Sequence, residues 1–161
     1  MIYKALIRPH LEYGNLIWYP YLKRQSAAIE KVQRRATKLL PNLKDKEYEQ
    51  RLAILKLPSL KTRRIRGDLI QAYKIFNGVD ELNPDQLFPT NPTDRTLRNS
   101  TNKIFKPHFN TKEKKNSFSY RIANRWNKLP EHVKTAPSTN TFKNKLDDLH
   151  WFKEILYNYD K

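Results

Sequence analysis

Ser59-Leu-Lys-Thr-Arg-Arg-Ile-Arg-Gly-Asp-Leu-Ile-Gln-Ala-Tyr-Lys-Ile-Phe-Asn-Gly78 is the stretch on which the fold turns. Ile65, Leu69, Tyr73 and Phe76 recur three or four residues apart, which places them on one face of an α-helix. Pro58 cannot continue a preceding helix, Ser59 starts a new one, and Asn77-Gly78 supplies the pair that ends helices in the left-handed conformation. A helix with one apolar stripe has to be covered by neighbours, so the flanking sequence is expected to supply more helices.

Toward the N-terminus it does. Tyr48, Leu52 and Leu55 mark a helix over residues 45–55. Before it, Ser26 is placed to cap a segment on Ile29, Val32, Ala36, Leu39 and Leu40, stopped by Pro41-Asn42, with Lys31, Arg34, Arg35 and Lys38 on the opposite face. Residues 2–7 read as a truncated helix broken at Pro9, and residues 13–21 as an aromatic connection containing Trp18 and Pro20. Toward the C-terminus, Ser117 is expected to cap a helix on Phe118, Ile122, Ala123, Trp126 and Leu129 that ends at Pro130, with Arg121, Arg125 and Lys128 along one flank. A last helix starts near Ser138 and uses Phe142, Leu146 and Leu149. Residues 97–109 alternate weakly around Pro107, so any strand there is short and at an edge. The expected fold is mainly α: a helical bundle followed by a smaller, mostly helical C-terminal module with at most short strands.

Charge divides the 161 residues further. Residues 1–78 carry a net +11, residues 79–94 carry −4, residues 95–145 carry +11 and residues 146–161 carry −2, giving +16 over the chain. The acidic stretch also holds Pro84, Pro89 and Pro92 beside Asn83, Asn91 and Thr93, which favour turns and interrupt helix. The expected organisation is a bundle over 1–78, a linker over 79–94 and a basic module over 95–161. Apolar residues are only 38 %, so the core is modest, yet aromatics at 12 % are too many for a disordered polyelectrolyte. A charge of this size opposes compaction and is best compensated by a polyanion, of which nucleic acid is the first choice. With no cysteine, disulfides and thiolate chemistry are excluded. No stretch approaches the roughly 18 consecutive apolar residues of a membrane span, and no secretory signal is recognisable. The expected setting is intracellular, with no membrane partner.

Catalytic patterns are missing. His10, His108, His132 and His150 are scattered and fit no metal-binding spacing, and Gly14, Gly67 and Gly78 are too few for a phosphate-cradling loop or a nucleophile elbow. The pair Asp147-Asp148 resembles a two-metal carboxylate motif only superficially, because Phe142, Leu146 and Leu149 around it have helical period and place it on a solvated face. Glu12 and Asp68 sit among cations and are better explained by ion pairing than by catalysis. No cofactor is expected.

The informative residues are basic and aromatic. Lys61, Arg63, Arg64 and Arg66 load the first turns of the 59–78 helix with cations, where the helix dipole disfavours them. Solvation and pairing with Asp68 are one reading, phosphate contact another. The same choice applies to Lys31, Arg34, Arg35 and Lys38, and Arg121, Arg125 and Lys128 complete the set of candidate nucleic-acid contacts. Trp126 shares an apolar stripe and is expected to be buried, whereas Trp18, between Tyr13, Tyr19 and Tyr21, is open to base stacking, as is Trp151. Residues 110–116 read as an exposed Asn/Lys-rich loop.

Four ordered blocks carry a resemblance. Leu6-Ile-Arg-Pro-His-Leu-Glu-Tyr-Gly14 with Trp18-Tyr-Pro20, then Glu30-Lys-Val-Gln-Arg-Arg-Ala-Thr37, then Leu57-Pro-Ser-Leu-Lys-Thr-Arg-Arg-Ile-Arg-Gly-Asp-Leu69, resemble the region after the catalytic palm in reverse transcriptases of non-LTR retrotransposons (LINEs) of the jockey and chicken-repeat type. Asn116-Ser-Phe-Ser-Tyr-Arg-Ile-Ala-Asn-Arg-Trp-Asn-Lys-Leu-Pro130 resembles the C-terminal segment of the same polyproteins. The resemblance implies a helical thumb and a C-terminal module that grip RNA template and primer. In that family the Asp-Asp turn and the magnesium it binds lie in the palm, N-terminal to the first block. The implied protein is therefore a non-catalytic, truncated part of an RNA-directed DNA polymerase that binds RNA or RNA–DNA duplex, with the palm itself a conceivable partner. The rival expectations are a free-standing basic nucleic-acid-binding protein and an inert pseudogene product.

Overall fold

The computed structural model describes residues 2–88, 103–106, 108–150 and 152. The chain is mainly α, with nine α-helices and no strand among the described residues. It divides into two compact units, residues 1–65 with 150–161, and residues 66–149. The division between Ile65 and Arg66 falls inside a helix. Of the expected linker, residues 89–94 lie outside the described residues, as do Trp151 and residues 97–102 and 107 of the expected strand. Residues 103–106 adopt no regular secondary structure.

In the first unit, residues 3–12 are helical: a π-helical turn, Tyr3–Ile7, leads into α1, Arg8–Glu12. Pro9 therefore does not break the helix. It sits in the first turn of α1, directly after the π-helical turn, whose wider spacing admits a residue without an N–H. Next come α2 (Lys23–Lys38), a 3-10 turn (Pro41–Leu43), α3 (Tyr48–Leu55) and the start of α4 (Leu60–Phe76). A capping box between Glu47 and Gln50 opens α3. Lys56, left-handed at φ 50°, closes it before Pro58, and Tyr48, Leu52 and Leu57 form its buried cluster.

Helix α2 departs from the sequence reading in two ways. It begins three residues before Ser26, which lies inside the helix and accepts a hydrogen bond from Arg64 at 2.9 Å. Its buried residues are Gln33 and Thr37, whereas Ile29, Val32 and Ala36 are half-buried and Leu39 is 82 % exposed. The helix is rotated so that a polar seam faces inward, and every polar atom of that seam finds a partner. Tyr3 donates to Gln33 Oε1 at 2.7 Å, and Gln33 Nε2 donates to the Tyr48 hydroxyl at 3.0 Å and to the Pro58 carbonyl at 3.1 Å. The Tyr48 hydroxyl in turn donates to Glu30, whose carboxylate also accepts from the Leu60 N–H at the start of α4 at 3.1 Å. An anion at that helix end is favourable. Arg51 Nε donates to Thr37 Oγ1 at 3.1 Å.

In the second unit α4 continues with Leu69, Ala72, Tyr73 and Ile75 buried. It ends at Gly78, φ 64°, with Val79 N–H donating to Lys74 O at 2.8 Å. Then follow α5 (Pro84–Leu87), α6 (Lys112–Asn116), α7 (Phe118–Asn127), α8 (Glu131–Lys134) and α9 (Thr139–Asp148). The expected loop at 110–116 thus contains a helical turn. Ser117 stands at the N-cap of α7, but its hydroxyl donates backward to Lys114 O at 2.8 Å instead of capping. Ser138 does cap α9, accepting from Thr141 N–H at 3.1 Å. The core is aromatic: Tyr73 stacks on Phe142 with centroids 4.3 Å apart, and Phe76 stacks on Phe88 at 4.7 Å and on Trp126 at 4.9 Å. Phe88 belongs to the stretch expected to be linker, yet it is buried. The Asn127 amide holds the backbone N–H and carbonyl of Ile104 with two 2.9 Å bonds.

Candidate nucleic-acid interface

At 3.6 residues per turn, the six cations of α2 (Lys23, Arg24, Lys31, Arg34, Arg35 and Lys38) fall within an arc of roughly 120°, away from the Gln33–Thr37 seam. All six are exposed. Arg34 is positioned by its neighbours. Its guanidinium lies 4.1 Å from the centroid of the Tyr48 ring and 4.0 Å from Glu49, and still leaves half of its side chain to solvent. Among the described residues, the side chains of Lys23, Arg24, Lys31, Arg35 and Lys38 have no hydrogen-bond or ion-pair partner. The arc therefore presents a row of uncompensated charge on a helix whose inner face is locked. Lys23 and Arg24 precede the expected helix start at Ser26 by less than one turn; extending the helical period a single turn N-terminally finds them.

The cations expected on α4 are placed differently. Lys61 is exposed. Arg63 forms a two-point ion pair with Glu12, which is also 3.7 Å from Arg8. Arg64 is buried and reaches Ser26. Arg66 grips both oxygens of Asp147, at 2.8 and 2.7 Å. On α7, Arg121 is buried against Asp68 with two bonds of 2.8 Å, each side chain only 6 % exposed. Arg125 is half-buried and bonds the Arg121 carbonyl at 3.4 Å, and Lys128 is exposed. Arg63, Arg66 and Arg121 thus hold the protein to itself through carboxylates distant in the chain, and Arg64 does so through the Ser26 hydroxyl. Glu12 and Asp68 are ion-pair partners, but where local pairing is expected the Arg63–Glu12 and Arg121–Asp68 bonds span 51 and 53 residues.

Asp147 and Asp148 occupy the last turn of α9. Among the described residues no cluster of three or more histidine or carboxylate side chains is arranged to hold a metal ion. No helix of the described residues is long and apolar enough to cross a membrane. Trp126 is fully buried, while Trp18 is 42 % exposed.

Burial shifts the titration of several groups in the two cores. Burial, reinforced by the nearby Glu30 and Glu12 carboxylates, pushes the Tyr3 hydroxyl up to about 12. Burial and its bond to Glu30 push Tyr48 higher still. Burial also raises Tyr73. Lys134, buried with its ammonium 5.9 Å from the Trp126 ring, is lowered by desolvation. Compared with protein-family models, curated proteins and solved structures, the chain matches none.

Proposed function

We propose that this chain binds RNA or an RNA–DNA duplex through the phosphate backbone, and that it holds the polymer without extending it. The observation that carries the reading is the arc on α2: six exposed cations on one side of one helix, five of them without a side-chain partner among the described residues. Phosphates spaced along a nucleic acid match such a row, and releasing their counterions would supply the affinity. The net charge of +16 works in the same direction by steering. The choice of RNA or RNA–DNA rests on the resemblance of the four sequence blocks to the thumb and C-terminal region of retrotransposon reverse transcriptases. In that family magnesium and nucleotide chemistry belongs to the palm. Here Asp147 is committed to Arg66 and Asp68 to Arg121, which favours holding over extension. The contacts proposed are Lys31, Arg34, Arg35 and Lys38, joined by Lys23 and Arg24.

Filter binding of a 20-mer duplex between about 50 and 200 mM salt tests this. If six or so phosphates are contacted, the log–log slope is about −5. Replacing Lys31, Arg35 and Lys38 together by Gln is expected to flatten it by about 2 to 3, equally for unrelated sequences. An unmodified chain with no affinity at low salt, a triple variant with an unchanged slope, or nucleotide incorporation on a primed template would each defeat the proposal.

A further inference from the structure

Resting on the binding function just proposed, we infer that residues 13–22 form a stacking platform for the unpaired bases of single-stranded nucleic acid, alongside the phosphate-binding arc of α2. Tyr13 is 83 % exposed, and Trp18 and Tyr21 are each about two-fifths exposed. Among the described residues no other ring and no cation covers these three faces.

The segment has a defined shape. Gly14 turns it at φ 66°, its carbonyl accepting from the Ile17 and Trp18 N–H groups at 2.9 and 3.1 Å. The Trp18 indole N–H donates to the Tyr13 carbonyl. That packing puts the indole so near Gly14 that a Cβ there would come within 2.9 Å of Nε1. Pro20, buried, anchors the far end. The Trp18 face, held this way, is presented to a ligand with little ordering left to do.

Charge selects the ligand. From residue 13 to residue 29 there is no carboxylate, and the segment runs straight into Lys23 and Arg24 at the start of α2. The acids that flank it, Glu12 and Glu30, are engaged by Arg63 and by Tyr48 with the start of α4. Exposed π-faces next to unpaired cations suit a polyanion that carries flat rings, and every base offers a face whatever its sequence. A base-paired duplex keeps its bases stacked on each other and would use only the cations.

Fluorescence anisotropy with the full chain separates these contributions, using a 12-nucleotide oligo(U) strand and a 12-base-pair RNA–DNA duplex as probes. Tyr13→Ala removes a side chain with almost no internal contacts, and Trp18→Ala removes the second face. Each is expected to weaken the single strand by roughly 5- to 100-fold, to leave its salt slope unchanged, and to alter duplex affinity by less than about twofold. Equal losses on both probes, or no loss on either, would overturn the platform while leaving the phosphate-binding function standing. An unmodified chain that binds neither probe would instead remove the function on which it rests. Should Trp18→Ala lower the melting temperature, Tyr13→Ala still decides the matter. A chain that sediments as a dimer and is dissociated by Tyr13→Ala, with oligo(U) affinity intact, would assign the surface to a second copy and overturn the inference.

Discussion

In residues 1–65 the cations of α2 stand outward and most lack a partner, whereas in residues 66–149 Arg66 and Arg121 turn to carboxylates of the same unit and are satisfied there. The inner faces differ in the opposite sense. The first unit buries hydrogen-bonded polar groups around Gln33, Thr37 and Arg51, while the second buries stacked rings around Trp126. Density of basic residues in a sequence therefore does not locate a binding surface. What locates it is the part of that charge which the fold leaves unanswered, and on this ground α2 qualifies where most of the α4 and α7 arginines do not.

The buried pair is the sharpest way to break that contrast. Asp68→Ala would leave the largely buried Arg121 guanidinium without its carboxylate, and breaking a buried pair costs about 3–5 kcal/mol. Urea unfolding should show the loss as a fall in midpoint with little change in slope. On the first unit's surface, Glu49→Ala releases Arg34 from a half-exposed partner and should stay under about 1 kcal/mol. Comparable costs for the two variants would erase the distinction between internal and outward cations.

Alkaline pH separates the two interiors. Tyr3 and Tyr48 have folded values above the ordinary phenol value of 10.0, so the stability they contribute is complete below about pH 10 and drains away as pH rises through the folded values. For Tyr3, raised to about 12, the loss across that window is on the order of 2 kcal/mol. In the second unit Tyr73 acts with the same sign, but Lys134 opposes it. Its lowered ammonium contributes stability that is present above the ordinary lysine value and lost as pH falls through the folded one. Circular dichroism between pH 9 and 12, with tyrosinate absorbance recorded in parallel, should show the first unit loosening first, and Tyr3→Phe should reduce its alkaline loss. Simultaneous loosening of both units would show that the polar seam is not the more alkali-sensitive interior.

Much of this architecture could be read from the sequence. Local signals suffice for α3, the body of α4, α7 and α9, because their apolar residues keep helical period and Pro58, Asn77-Gly78, Pro130 and Ser138 fix their ends. The face of α2 could not be read that way. Gln33 looks like a surface residue until Tyr3, Tyr48 and the Pro58 carbonyl, 15 to 30 residues away, are brought to it. Arginine pairing failed for the same reason. Asp68 is the acid nearest to Arg66 in sequence, yet it takes Arg121 across 53 residues, and Arg66 takes Asp147 across 81. Of the candidate site, the four central cations of α2 were visible and their lack of partners was not, since the second property depends on where every carboxylate ends up.

Arg34 offers the finest test, because it alone on the arc is both outward and held. Its guanidinium lies flat enough on Tyr48 to approach within 4.1 Å of the ring centroid, an arrangement that an ammonium reproduces poorly. Arg34→Lys keeps the charge and removes most of the stacking, so thermal unfolding should register about 0.5–1 kcal/mol at most. Nucleic-acid affinity, if it is carried by charge along the arc, should keep its salt slope and change by no more than about threefold. A tenfold or greater loss with an unchanged slope would mean that Tyr48 orients Arg34 toward a particular phosphate with two-point geometry. The row of cations would then have a fixed register in place of a diffuse attraction, and α2 would differ from the arginines of the second unit only in the partner it awaits.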